Sequence, residues 1–516
     1  MEPFVYFLPS TLSLRKLRPH LPPDAHHQII LEPGEMRQAV VLDTFDGGLF
    51  AAAKLLFEVD NLLLLLDLPT GQLIEQAAPA GSPVVGEMPR GAVIDMLLEV
   101  ARLRALLPVA RIRLRLDEGR VVDDEGKTLV RFYHLTLVRG RKVGGMGCAR
   151  YLRGYPEAYA DLRQWLEHCG ALACQNAGDI YERLGIIGSE YCVKPDLQLV
   201  PETPVKESAV TILRTFLKIA RQNEPGIIAD SDTEFLHDYR VCLRKVRSVL
   251  SLFGGVFDAK ETIRLKNQLA AVMRTTNALR DLDVYLLNRP EYHRMVPPAA
   301  HGGLQILFDG FALRRKAEQE KVASTMQSKA YLRRMQALEK LFTAGDGIKS
   351  GPQAQVNSLS FACRAIMKRY RKVCKTGRDI DETTPDPVIH QLRIHCKKLR
   401  YLMEFFTPLF PAAEIKKLIR SLKLLQDNLG NFNDYSIQQQ FLEKMLASEG
   451  SGGTKAMAVA HAIGALTAML HQLQGEERGL IVENLAGFDS PAIREAFEEL
   501  FITEGGENED NSLLQQ

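Results

Sequence analysis

The sequence predicts a multidomain α+β protein: an antiparallel β-barrel domain over residues 1–200, then an all-α domain of two pseudo-symmetric four-helix bundles over residues 205–503. Three observations carry this expectation. Residues 1–150 hold short apolar runs separated by Gly, Pro, Asn and Asp, as strands and turns require. From Lys206 to about Phe501 nearly every stretch has helical period. Within that helical half one pattern is written twice: His237, Arg240, Arg244, Lys245 and Arg247 return as His390, Arg393, Lys397, Lys398 and Arg400, with the two histidines 153 positions apart. The downstream acids Asp281 and Asp434 are also 153 apart, so two separate motifs repeat in register and argue for a duplicated structural unit.

In chain order, the runs at 28–31, 37–42, 55–59 and 62–66 read as strands, and a helix interrupts them at about 91–107. Residues 110–116 alternate strictly, which puts Arg111, Arg113 and Arg115 on one face of a strand. That face either lines a positive barrel interior or is the wet side of an antiparallel strand. A further strand covers 129–138. Two nucleotide-like signals fail: Gly126, Lys127 and Thr128 follow Val121 where a phosphate loop needs glycine, and Asp123, Asp124 and Glu125 would repel a phosphate. A hairpin turn fits better. The glycines at 144, 145 and 147 lack the spacing of a dinucleotide loop.

Helices follow at 155–169 and 179–185, and a Pro-punctuated linker at 194–204 separates the halves. Repeat one, 205–345, opens with a helix at 210–223 carrying Arg214 and Lys218, is broken at Pro225 and Gly226, and caps its motif helix with Asp230 to Asp232. Helices at 260–277 and 304–342 complete it. Repeat two, 353–503, has a first helix at 359–375 with Lys368 and Arg371, a motif helix ending near Phe406, a helix at 414–429 stopped by Gly430, a helix at 435–446 opened by Asn433 and Asp434, and helices at 454–476 and 491–501. Residues 450–453 read as a loop and 504–516 as a disordered acidic tail.

Charge is divided between the halves. Formal net charge is +2, but residues 1–202 carry −4, residues 203–503 carry +10 and the tail carries −4. On a helix, offsets 0, +3, +7 and +10 fall within about 80°, so His237, Arg240, Arg244 and Arg247 share one face, as do His390, Arg393, Lys397 and Arg400. A solvated face mixes signs at i,i+4. Apart from Asp238, neither copy has an acid between its histidine and last arginine. Like charges held together are costly, and an anion relieves that cost. If the two units pack face to face, the motif stripes and the first-helix stripes converge on one cationic groove.

No run reaches the ~20 apolar residues of a spanning helix, and the N-terminus lacks the cationic and apolar regions of a secretory signal; both point to a cytoplasmic protein without membrane contact. The eight cysteines show no CxxC pair and read as free buried thiols, with no metal site and no cofactor.

The paired motifs, each followed by an Asp-containing stretch, resemble the CHAD domain (conserved histidine α-helical domain) over about residues 205–503. Arg400, Tyr401 and Glu404, with Gln426, Asp427, Asn433 and Asp434, look like that family's C-terminal half. The resemblance implies two four-helix bundles around a basic channel and a ligand, inorganic polyphosphate. The binding set would be Arg240, Arg244, Arg247, Arg393, Lys397 and Arg400 on phosphate oxygens, Lys245 and Lys398 at the rim, and Arg214, Lys218, Lys368 and Arg371 widening the track. His237 and His390 either donate to phosphate or orient the arginines; Asp281 and Asp434 cap helices or buttress an arginine. Residues 1–200 resemble, in degenerate form, the CYTH tunnel fold of inorganic triphosphatases and adenylate cyclases, through residues 42–49 and the Arg111, Arg113, Arg115 strand. The opening Glu-x-Glu-x-Lys of that family is absent, and its late paired carboxylates are replaced around Tyr133, His134 and Thr136. The expectation is therefore a non-catalytic polyphosphate binder, associated with polyphosphate granules, with a metal-dependent triphosphatase or cyclase as the alternative. Nucleic-acid binding is the second alternative, disfavoured by stripes with little aromatic interleaving.

Overall fold

The computed structural model describes residues 3–8, 27–174, 176–344, 347–381, 383–448 and 453–502. The chain divides into two compact units, Met1–Val193 with Ser231–Glu234, and Lys194–Asp230 with Phe235–Gln516.

The first unit is built on strands β1 (Phe4–Leu8), β2 (Gln28–Glu32), β3 (Arg37–Asp43), β4 (Lys54–Val59), β5 (Leu62–Asp67), β6 (Gln72–Ala77), β7 (Leu107–Val122), β8 (Thr128–Arg139), β9 (Lys142–Tyr151) and β10 (Leu172–Ala173). Their order is β10-β1-β9-β8-β7-β3-β4-β5-β6, with β2 also on β7. All pairings are antiparallel. The long β7 serves two partners, β3 along its first half and β2 along its second. Helices α1 (Gly48–Ala51), α2 (Ala92–Ala101), α3 (Pro156–His168) and α4 (Gly178–Leu184) cover the sheet. Ile180, Tyr181 and Leu184 of α4 join Val41, Leu55, Ile112, Leu114 and Leu135 in one core. Tyr159, Leu162, Trp165 and Leu166 of α3 pack with Phe4, Tyr6, Val130 and Phe132 on the other face. The glycines of β9 answer to packing: a Cβ at Gly147 would run into the Tyr133 carbonyl and the Tyr6 ring.

A cavity of about 600 Å³ opens in this unit, lined by residues of β2, β6, β7, β8 and β9. It gives the sheet a tunnel-like interior, and of the two placements open to the arginines of residues 110–116 the outer face is the one found. Ile112 and Leu114 face the core, so Arg111, Arg113 and Arg115 project from the opposite face, where Arg115 pairs with Asp117 at 3.0 Å. The arginines that line this cavity are Arg120, Arg131 and Arg150, exposed side chains that stand opposite one another on β7, β8 and β9, with Arg120 paired to Glu32 at 3.3 Å.

The second unit is helical: α5 (Val205–Ile228), α6 (Thr233–Leu252), α7 (Ala259–Arg274), α8 (Asn277–Leu287), α9 (Arg289–Met295), α10 (His301–Gln327), α11 (Lys329–Thr343), α12 (Ser358–Arg378), α13 (Asp386–Phe406), α14 (Ala412–Ser448), α15 (Thr454–Phe488) and α16 (Pro491–Phe501). Several expected breaks lie elsewhere. Pro225 and Gly226 sit inside α5, where a Cβ at 226 would strike the Phe235 ring. Gly430 does not end a helix: α14 runs through it, because burying Leu425, Leu429 and Phe432 outweighs the ~1 kcal/mol that glycine costs in a helix. Conversely the expected 304–342 helix is cut at Ser328, whose hydroxyl caps α11 by accepting from Tyr331 N at 3.2 Å. By length and composition α15 is apolar enough to cross a membrane, contrary to the sequence expectation. Its Val459, Ala462, Ile463, Leu466 and Leu470 are buried in a core shared with α10. The expected loop at 450–452 and the acidic tail at 504–516 lie outside the described residues. Cys148, Cys169, Cys174, Cys242, Cys363, Cys374 and Cys396 are free thiols, and Cys192 is exposed.

The duplication is visible as a pseudo-two-fold. Helices α5 and α12 begin 153 residues apart, at Val205 and Ser358. Val205 N donates to Val356 O at 2.8 Å and Ser358 N donates to Thr203 O at 3.0 Å, the same bond made reciprocally by equivalent residues. Equivalents also meet each other: Phe253 stacks on Phe406 at 5.1 Å, and Tyr285 Oη donates to Gln438 O at 3.5 Å. A position touching its own counterpart is the mark of a two-fold interface, here within one chain.

Candidate functional site

Helices α6 and α13 carry the repeated motif. Leu236, Tyr239, Leu243, Val246 and Leu250 of α6 are buried, as are Leu392, Cys396, Leu399, Leu402, Met403 and Phe406 of α13, which leaves the basic stripes on the other side of each helix. Asp232 starts α6 by accepting from Glu234 N at 2.9 Å.

Each motif histidine is bonded through Nδ1 to the residue 43 positions on. His237 Nδ1 accepts from Arg280 Nη2 at 2.8 Å, and His390 Nδ1 meets Asn433 Oδ1 at 2.5 Å. Arg280 and Asn433 are equivalent positions of the two repeats, so one geometry is built with different chemistry. The bond to Arg280 requires an unprotonated His237 Nδ1; that to Asn433 Oδ1 is made by an Nδ1–H donor on His390. Of the two roles open to the histidines, these contacts support orientation.

The arginines differ in how firmly they are held. Arg240 Nη1 donates to Met273 O at 3.1 Å, Thr276 Oγ1 at 2.7 Å and Asn277 Oδ1 at 2.8 Å. Arg393 Nη2 reaches Asp434 Oδ1 at 3.4 Å, so Asp434 buttresses an arginine, within α14 and not at a cap. Arg240, Arg247 and Arg393 each keep a buried Nε that has no acceptor among the described residues. Burial, then the Arg244 guanidinium, lowers the pKa of Arg240; burial, against Asp434 and with Arg244, lowers that of Arg393. Burial, Arg393, Arg244 and Arg400 push the Lys397 ammonium down to about 8, against the pull of Asp434. Arg244 on α6 therefore lies close to Arg393 and Lys397 on α13, and the two stripes meet.

Residues 211–443 match the CHAD domain family. The helical unit contains a CHAD domain. The chain is similar to two uncharacterised proteins from two strains of Mycobacterium tuberculosis, 23% identical over 221 residues. That similarity spans 42% of this chain and 42% of each relative's length. Among solved structures it is similar to the CHAD domain from the plant Ricinus communis, with 23% identity, TM-score 0.48, and coverage of 60% of this chain and 97% of that one. PptA from Streptomyces chartreusis gives 16% identity, TM-score 0.41, and coverage of 58% and 99%.

Not every expected residue of the CHAD domain joins the stripes. Lys245 is not at a rim: its side chain is 13% exposed, 3.8 Å from Glu404, with Nζ 4.5 Å from the Phe216 ring centroid. Arg400 is engaged as well, through Glu404 at 2.6 Å and Gln426 at 3.2 Å. Lys398 faces Arg369 and Lys266, away from Arg393 and Lys397. Arg214 and Lys218 on α5 and Lys368 and Arg371 on α12 are exposed; no described interaction ties Arg214, Lys218 or Lys368 to the motif stripes. Sequence reasoning missed Thr276, Asn277 and Arg280 as holders of the site. Their signal was the 153-residue register, which sets Arg280 against Asn433.

Proposed function

We propose that the CHAD domain binds inorganic polyphosphate along the stripes of α6 and α13. The observation that carries this reading is the meeting of the two stripes, where Arg244 on α6 lies beside Arg393 and Lys397 on α13 and cations outnumber acids. Like charges held together in a part-buried cluster are costly, and a polyanion relieves that cost. Arginine suits the task because its planar fork holds two oxygens at once. Arg244 and Lys397 supply further charge, Arg400 shares its own with Glu404, and Asp434 competes with the ligand for Arg393. The binder is read as cytoplasmic, non-catalytic in this domain and granule-associated.

The test is a titration of long-chain polyphosphate into wild type and Arg240→Ala/Arg393→Ala over a salt series. Lost affinity with a log–log salt slope shallower by about one to two supports the reading. Unchanged affinity refutes it. Retention of polyphosphate in excess DNA or RNA separates it from general phosphodiester binding.

A second reading draws on the first unit, whose cavity holds Arg120, Arg131 and Arg150 beside Glu32, Glu75 and Glu118. Three arginines directly opposite one another on adjacent strands are mutually repulsive. A triphosphate would relieve them, and carboxylates in the same cavity are the donor type a divalent metal prefers. Metal-dependent phosphate release from tripolyphosphate, lost in Arg131→Ala, is the result that favours this reading.

A further inference from the structure

The 153-residue register sets each position of one repeat against its counterpart, and one corner of the domain does not match. In repeat one Lys245 is settled, with Nζ over the Phe216 ring and Glu404 3.8 Å away. Its counterpart Lys398 meets a different set. Where repeat one has Phe216, Ile219 and Cys242, repeat two has Arg369, Lys372 and His395. Where repeat two offers Ile419 and Glu404, repeat one offers Lys266 and Ser251. Every exchange moves the same way: apolar groups become basic, and the acid becomes a serine.

The result is a basic corner in which His395 and Lys398 have only cationic charged neighbours among the described residues. Arg369 Nη1 donates to His395 Nδ1 at 3.4 Å, which needs that nitrogen unprotonated. His395 is faced by Arg369, Lys372 and Lys398, and Lys398 by Arg369 and Lys266. Burial and these neighbours hold the imidazole below its usual range; burial lowers the Arg369 guanidinium too. None of Lys266, Arg369, Lys372 and Lys398 has an ion-pair partner among the described residues. On α13, His395 and Lys398 lie about 160° around the helix from Arg393, Lys397 and Arg400, so this corner belongs to another face.

We propose that Arg369, His395 and Lys398, flanked by Lys266 and Lys372, form a second oxyanion site that takes a phosphoryl group independently of the motif stripes. Arg369 holds two oxygens through its fork, and Lys398 and Lys372 neutralise the charge. An anion there offsets the cationic neighbours that, together with burial, keep His395 neutral, so binding favours proton uptake at the imidazole.

The experiment follows the His395 ring by NMR in the full chain, assigned with His395→Gln, through pH titrations with and without tripolyphosphate. The expected result is a rise of the His395 pKa by about one pH unit or more on adding tripolyphosphate. The rise persists in Arg240→Ala/Arg393→Ala. It disappears in Arg369→Phe/Ser251→Glu, which rebuilds the pairing of repeat one and is therefore compatible with the fold; its melting curve checks this. A static His395 while the His390 resonance responds to tripolyphosphate overturns the second site and leaves the motif-stripe reading standing. A His395 response that vanishes in Arg240→Ala/Arg393→Ala also overturns it, since His395 would then report the groove.

Discussion

Replacing Lys397 with methionine should move stability and binding in opposite directions. Burial and the neighbouring guanidinium groups bring the ammonium from its ordinary 10.5 down to about 8. Taken whole, that difference is a ceiling of about 3 kcal/mol of strain in the charged folded state. The group is part-buried, and screening brings the working figure to about 1–2 kcal/mol. The folded state releases this proton near pH 8 and the unfolded chain near 10.5, so the strain is fully present at pH 7 and fades as pH rises between those values. Lys397→Met should therefore be about 1–2 kcal/mol more stable than wild type at pH 7 in urea unfolding, with the gap closing by pH 10. Its affinity for polyphosphate should fall several-fold. A variant less stable than wild type at pH 7, or a gap indifferent to pH, would refute the electrostatic account of this cluster.

Asp434→Asn removes the carboxylate that holds Arg393 at 3.4 Å and supports the charge of Lys397, so calorimetry should give a severalfold gain in polyphosphate affinity, and the Lys397 pKa should drop further. His237→Ala takes the acceptor from Arg280 Nη2 and should cost about 1–3 kcal/mol in denaturant unfolding while changing affinity less than Arg240→Ala does. Phe406→Ala empties the stack against Phe253 at the pseudo-two-fold and should cost about 3–5 kcal/mol, with both repeats melting in one transition.

The sequence disclosed most where one rule acted alone. The strands β2 to β5, the motif helices and the duplicated unit follow from period and register, and all are present. Helix ends were less legible because burial competes with propensity. Gly430 and Pro225 lost to the apolar residues beside them, while Ser328 won at a point where the periodic pattern gave no hint. At the site, the stripes were readable from charge and spacing, but which cations are already spent was not. Glu404 is on the motif helix of repeat two and takes Lys245 from the motif helix of repeat one, a pairing across 159 positions that no local pattern encodes. In the first unit the alternation of β7 was right, yet alternation alone does not say which face is inside; the buried Ile112 and Leu114 decide it.

The pseudo-two-fold that joins Val205 to Val356 and Ser358 to Thr203 has a consequence for the ligand proposed above. Inorganic polyphosphate reads the same from either end, whereas a nucleic acid strand or a peptide has a direction. A groove between the two motif stripes, which carry basic residues at matching positions, would accept such a chain head-first or tail-first with similar contacts, and two equal orientations would be worth about 0.4 kcal/mol in statistical weight. A directional polymer gains nothing from the symmetry, since reversing it presents different groups to each half. The gene duplication that built the helical unit thus favours, by its geometry, a ligand without polarity.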